Sequence, residues 1–322
     1  MAVKIAVTWA LTVFVVACQI ASAREQSGHI EINKGSGSFS IEGGNGKEDK
    51  IIRVYYHKPG SFSSNSPILI VVPGAGRNGD DYRDAWISAS EQYGVLVLSP
   101  AYSETDYDLA AYNYGGTIKN LELHNLRVDE DTRIYRIKDE DIILDNDNDP
   151  GHWLFSDFDR LFEIAANSVG SSQTGYDMFG HSAGGQIVHR LAIFYPASRA
   201  KHLLASNSGY YTLPRFDISP PFGIRGTLVT VRSLKKSFKI NLVLFLGELD
   251  NEHETRGIAL HTPFVDQQGL GRLERGRSFY YESRNAAARL KAMYNWHIEV
   301  TPGVGHDYRK MSQAAARYLY GE

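Results

Sequence analysis

Gly180-His181-Ser182-Ala183-Gly184-Gly185 holds the only Gly-x-Ser-x-Gly run in the 322-residue chain. A serine hydroxyl attacks poorly until a base takes its proton. The bare motif is a weak signal, and its flanks strengthen it. Apolar Tyr176–Phe179 precedes it and a helical run, Gln186–Ala192, follows. That is the strand–turn–helix of a nucleophile elbow, which lifts the Ser182 hydroxyl clear of a sheet. Glycine at 180 and 184 spares so tight a turn two Cβ atoms. The helix N-terminus offers N–H groups and its positive dipole end to a developing oxyanion. The competing reading is a Gly-rich turn with an idle serine.

In an elbow of this kind the acid and then the histidine follow the nucleophile along the chain. His253, His261, His297 and His306 lie beyond the apolar run at 241–246. His306 ends Pro302-Gly303-Val304-Gly305-His306, a Gly-rich loop able to swing an imidazole over a sheet edge, and is the expected base. His297 starts a strand and reads as structural; His253 and His261 fall in an irregular polar loop. The acid should close the 241–246 strand, which runs into Gly247-Glu248-Leu249-Asp250. A carboxylate there can accept the imidazole Nδ1–H and fix its tautomer. Asp250 is preferred because it lies further out in the loop, with Glu248 and Glu252 as competitors; each could equally be a solvated loop acid. An acyl-transfer site also needs two oxyanion donors. Ala183 N–H is one. Ala75 N–H, in Pro73-Gly74-Ala75-Gly76-Arg77-Asn78, is the expected second, against a plain strand-to-helix turn.

These four segments, in this order, resemble the α/β-hydrolase superfamily over about residues 51–320. Within it the chain is most similar to secreted esterases of the polyhydroxybutyrate-depolymerase and feruloyl-esterase type, which have a comparable Ser-Ala-Gly-Gly elbow. That family often carries His-Gly where this chain has Pro73-Gly74, a departure that bears on the oxyanion loop. The resemblance implies hydrolysis through an acyl-enzyme, with no cofactor.

The elements that must hold these residues read as short apolar strands alternating with helices. Strands are expected at Ile51–His57, Pro67–Val72, Val95–Leu98, Tyr176–Phe179, His202–Ala205, Asn241–Leu246 and His297–Val300. Helices are expected at Asp81–Tyr93, Trp153–Ser168, Ala183–Tyr195, Phe279–Met293 and Tyr308–Leu319. This alternation predicts an α/β fold, a mostly parallel sheet with helices on both faces. Two stretches, 101–150 and 209–238, far exceed ordinary connections and read as substrate-side insertions in one catalytic domain over 51–322. Tyr210 and Tyr211 open the second and are candidate substrate contacts, against ordinary packing. Residues 24–50 read as a polar N-terminal extension with a possible strand at His29–Asn33.

Met1–Ala23 has the basic start, apolar run and Ala21-Ser22-Ala23 site of a cleaved signal peptide, implying a secreted or periplasmic protein. Val15-Val16-Ala17-Cys18 leaves lipoprotein processing at Cys18 as the alternative. Thirty-four basic against 37 acidic residues give a charge of −3, with no field favouring nucleic acid. Removal of the leader leaves no Cys, which suits an oxidising compartment and excludes thiolate metal sites. Asp145-Asn146-Asp147-Asn148-Asp149-Pro150-Gly151 alternates oxygen donors but misses the EF-hand template, so no metal is expected. The function classes in play are an ester hydrolase, a serine peptidase of prolyl-oligopeptidase type, and a silent binding module. Only about 50 residues precede the first central strand, which disfavours the peptidase, and the ordered Ser182, Asp250, His306 set disfavours the silent module.

Overall fold

Ile68-Leu69-Ile70-Val71-Val72 is buried at every position, as a strand covered on both faces must be. The computed structural model of the chain describes residues 30–321; the expected leader at 1–23, with Cys18, lies outside the described residues. In chain order the strands are β1 (Gly35–Glu42), β2 (Ile51–Lys58), β3 (Ile68–Val72), β4 (Leu96–Ala101), β5 (Ile118–Leu123), β6 (Arg127–Asp129), β7 (Ile134–Arg136), β8 (Ile142–Asn146), β9 (Tyr176–His181), β10 (Ala200–Ser206), β11 (Leu242–Gly247), β12 (Ala259–His261) and β13 (His297–Thr301). The helices are α1 (Gly79–Asp84), α2 (Ile87–Tyr93), α3 (Leu109–Asn113), α4 (Phe155–Val169), α5 (Ala183–Phe194), α6 (Val231–Ser237), α7 (Pro263–Gln268), α8 (Arg272–Arg289) and α9 (Tyr308–Tyr320).

One eight-stranded sheet runs β1-β2-β4-β3-β9-β10-β11-β13. β2 pairs antiparallel with β1 and β4, and the remaining neighbours are parallel. The expected α/β sheet is therefore observed, mixed at one edge. Strand alternation sends Leu69, Val71, Phe179, Leu204, Val243 and Phe245 to one face, where they meet Tyr82, Trp86, Met311 and Ala315. Helices α4, α5 and α8 pack on the sheet as well. β3 lies between β4 and β9, so the chain leaves it toward one edge and returns on its other side. The crevice outside the carboxyl ends at such a reversal is where α/β sheets bind ligands. The loop after β3 and the turn after β9 both open there.

Four expectations change. The single helix over 81–93 is two, because the chain turns at Ala85-Trp86 to set the Trp86 ring on Phe179, with centroids 5.5 Å apart. Residues 30–33 are not a strand; the strand is β1, so part of the stretch read as an extension belongs to the sheet. Its Gly-Ser-rich, alternately exposed sequence gives a weak strand signal. The irregular stretch at 251–271 contains β12 and α7, elements too short to show in the pattern, and the helix expected at Phe279–Met293 is α8, which begins at Arg272 and ends at Arg289. β12 pairs in parallel with β7, which forms a hairpin with β6 inside the 101–150 insertion. No described helix is long and apolar enough to cross a membrane.

Candidate active site

Ser182 joins β9 to α5 at φ 60°, ψ −117°, a conformation that persists only where its surroundings over-determine it. Its N–H donates to Ser206 O at 2.9 Å. A Cβ at Gly184 would overlap the Val72 and Pro73 carbonyls, and one at Gly180 would overlap Gly184. The glycines thus let the elbow press against β3. Across the crevice Gly74 comes so near that a Cβ there would sit 3.4 Å from Ser182 Cβ and 2.9 Å from the Tyr82 hydroxyl. Ser182 itself is half-buried.

Asp250, fully buried in the turn after β11, accepts the His306 Nδ1–H at Oδ2, 2.7 Å. Glu248 does not reach the imidazole; its Oε2 accepts Gly303 N–H at 2.8 Å. Glu252 points to His253, 3.7 Å away. The turn after β11 and the His306 loop are stitched together by Glu248 N–H to Thr301 O (3.0 Å) and Leu249 N–H to Val304 O (2.8 Å). Asn207, at φ 48° after β10, joins both: it accepts Gly247 N–H (2.8 Å) and donates to Gly305 O (3.1 Å). Burial, then the charge of Arg272, pull the His306 pKa below its ordinary value against the opposing pull of Asp250, so the ring is neutral and able to accept a proton at pH 7. His181 lies with its ring centroid 4.5 Å from that of His306 and is held neutral, chiefly by burial.

Ser182, Ala183 and Ala75 share the wall of a cavity of about 500 Å³. Tyr210, Tyr114, Tyr135, Leu109, Leu123, Leu126, Ile258 and Leu260 make the rest of that wall largely apolar, with Gln186, Glu104, Asp108 and Arg77 among its polar members. The 101–150 insertion supplies several of these side chains. Tyr210 stands where a substrate contact is expected, its hydroxyl against that of Tyr114. Tyr211 does not: its fully buried ring stacks on Phe279 at 4.7 Å. In the 145–149 loop, Asp147 accepts Asp149 N–H and the His152 imidazole, and Asp149 accepts Gly151 N–H. Among the described residues no group of three or more His, Cys, Asp or Glu side chains is placed to hold a metal ion.

Sequence reasoning misses Arg272, Asn207 and Glu254. Arg272, only 4% exposed, donates from Nη1 to Asp250 Oδ1 at 2.8 Å. Glu254 accepts His306 N–H at 2.6 Å and the Arg256 guanidinium at 2.7 Å, and that guanidinium holds its carboxyl down to about 2. None sits in a motif, and the contacts that tie them to Asp250, His306 and the strand ends are 22 to 98 residues away in sequence.

No family model and no curated protein matches the chain. Among solved structures, poly(aspartic acid) hydrolase-1 from Sphingomonas sp. KT-1 is similar at a TM-score of 0.74 and 32% identity, covering 90% of this chain and 100% of that one. A poly(3-hydroxybutyrate) depolymerase from Bordetella parapertussis gives 0.75 at 26%, covering 89% and 91%. A siderophore hydrolase from Aspergillus nidulans, at 0.52 and 10% over 89% and 94%, shares the fold alone.

Proposed function

We propose that this chain, which belongs to the α/β-hydrolase superfamily and to its depolymerase-type esterases, cleaves carboxylic esters through an acyl-enzyme on Ser182. Its relatives are hydrolases, and hydrolysis is the activity that membership gives. The observations that carry the finer reading are the buried Asp250–His306 hydrogen bond at 2.7 Å, a His306 ring 4.5 Å from that of His181, the residue before Ser182, and a strained Ser182 that opens to the apolar cavity.

In this reading Asp250 fixes the proton on His306 Nδ1 and leaves Nε2 as the base. Ser182 Oγ attacks the ester carbonyl carbon as its proton passes to Nε2. The oxyanion is met by Ala183 N–H, at the start of α5, and by Ala75 N–H. The imidazolium then protonates the leaving alkoxide, releasing the alcohol and the acyl-enzyme. Water, deprotonated by His306, attacks the acyl carbonyl, and collapse returns the Ser182 hydroxyl and a carboxylic acid. No step calls for a metal or cofactor. Tyr210 contributes to the substrate pocket.

A second reading, hydrolysis of amide links in an acidic polymer, is favoured by likeness to the poly(aspartic acid) hydrolase. The cavity wall argues against it. Arg77 lies 3.8 Å over the Tyr112 ring and gives Nη1 to the Tyr102 and Tyr107 carbonyls, while Glu104 and Asp108 add negative charge. A polyanion would meet repulsion there, whereas an apolar acyl or aryl group meets leucine, isoleucine and tyrosine. We also read 1–23 as an export signal and the remainder as one secreted or periplasmic catalytic domain.

The test uses a fluorophosphonate probe, with hydrolysis of 4-nitrophenyl esters and of aspartyl oligomers run beside it. Labelling of the Ser182 peptide, ester turnover, and a loss on the order of 10⁴-fold or more in Ser182→Ala are expected. Near-normal turnover by folded Ser182→Ala removes Ser182 from the mechanism, and faster cleavage of the oligomers selects the second reading.

A further inference from the structure

Asp250 uses one oxygen on His306 and the other on Arg272, so the acid has two partners and the imidazole is only one of them. Arg272 opens α8. Its Nη2 turns away from the acid to the Ile258 carbonyl at 2.8 Å and the Arg256 carbonyl at 3.3 Å. These two carbonyls bracket Gly257, whose backbone is pressed on the imidazole: a Cβ there would stand 2.7 Å from His306 Cδ2 and 2.8 Å from Nε2. Ile258 is in the cavity wall with Ser182, and its neighbour Ala259 begins β12, which pairs with the insertion strand β7. One buried guanidinium thus holds the acid at one end and the strap over the base at the other. Arg275, one turn further along α8, differs: it donates to the Gly269, Gly209 and Leu270 carbonyls and lies 3.5 Å from Asp266, away from the acid.

We infer that Arg272 is a positioning residue that ties the orientation of Asp250 and His306 to the Ile258 wall of the substrate cavity, so that one side chain sets both the competence of the base and the fit of the acyl group. The inference rests on the ester-hydrolase reading above. A planar fork suits the task, since it can serve a carboxylate and two carbonyls at once, which a lysine ammonium cannot do in one geometry. The charged and titratable groups facing His306 are Asp250 from the β11 turn, Arg272 from α8, Glu254 from the strap, and His181 from β9, with Arg256 paired to Glu254 behind them. Among them Arg272 is the charge that most favours the neutral imidazole, after burial. Removing it should raise the His306 pKa and leave more of the base protonated at a given pH.

The experiment compares the full chain with Arg272→Met and Arg272→Lys, measuring kcat and KM against pH with 4-nitrophenyl acetate and 4-nitrophenyl octanoate. Folding is checked by circular dichroism melts. In Arg272→Met the acid limb of kcat/KM should move to higher pH, because the charge that favours the neutral imidazole is gone, with a loss of about 10²-fold at the plateau. Arg272→Lys keeps the charge and loses the span: its limb should stay near that of the unaltered chain while KM for octanoate rises severalfold more than KM for acetate. A folded Arg272→Met with an unmoved limb overturns the inference. So does an Arg272→Lys variant with both KM values unchanged, and that arm decides alone where Met does not fold. Ester turnover that survives Ser182→Ala would instead strike the parent reading, whatever Arg272 does.

Discussion

Glu248 and Asp250 are two residues apart and would share a side of an extended strand end, so their separation in sequence alone does not choose between them. What separates them is distance from the sheet. Glu248 follows Gly247 directly and is held to the body of the protein, its carboxylate closing the Gly303 turn at 2.8 Å. Asp250 lies where the loop has left the sheet and meets the imidazole at 2.7 Å. Asp250→Asn should therefore keep the His306 ring near its place and remove its tautomer preference. The expected fall in kcat is about 10⁴-fold, the size of the loss when the acid of a serine-protease triad becomes its amide. Glu248→Gln should cost far less, through a looser Gly303 turn. Comparable losses in the two variants, measured on 4-nitrophenyl esters, would move the acid's role to Glu248. The sequence announces Ser182, Asp250 and His306 because each sits at a strand end marked by glycine. Arg272 carries no such mark: it is one of many arginines, and its partner is 22 residues upstream.

Gly257 and Gly303 both hold left-handed backbone, at φ +73° and +66°, on the two segments that meet at His306. They differ in what a side chain would touch. At Gly303 a Cβ meets nothing within 4 Å; at Gly257 it meets the imidazole. Alanine in this conformation costs roughly 1–2 kcal/mol at either site. Both variants should therefore lose thermal stability, Gly257→Ala the more because its Cβ also has to displace the buried imidazole. Turnover should fall about 10²-fold only in Gly257→Ala, where the base is displaced. Equal losses of kcat/KM in the two would show that the strap does not bear on the base. The same contrast explains what is legible at this scale. Buried strands such as β3 and β11 declare themselves as apolar runs bounded by glycine and proline. β12 and the two strands of the β6–β7 hairpin are three residues each; β12 exists because it pairs with β7 across more than a hundred residues, which no local pattern encodes. The insertion at 101–150 shows in the sequence only as an interruption, and its contribution of Leu123, Leu126 and Tyr135 to the cavity wall appears only in the folded chain.

Across the whole molecule, the site is built by closing imidazoles into the interior. His181, His189 and His306 are 2%, 0% and 9% exposed, and the pKa of each is lowered, first by burial. In the unfolded chain the same groups titrate near the ordinary value of about 6.5. Between that value and the lower folded ones, the unfolded chain binds more protons, so stability rises with pH in that window. The contribution of these three is whole above pH 6.5 and is lost as pH falls from there through their folded values. His202 pulls the other way, since its bond to Asp177 raises it; it is half-exposed, so solvent screens its share. Three buried rings should outweigh one screened ring. The urea midpoint at pH 5 should lie clearly below that at pH 7.5, with m unchanged. His189→Gln, remote from the acid and base, should flatten part of this dependence while leaving the acid limb of kcat/KM where it is. The two pH effects would then separate, because the limb belongs to His306 and its neighbours and the stability slope to every imidazole the fold keeps neutral. A midpoint that does not change between pH 7.5 and pH 5 would mean that these rings open to water, or find a new acceptor, before the chain unfolds.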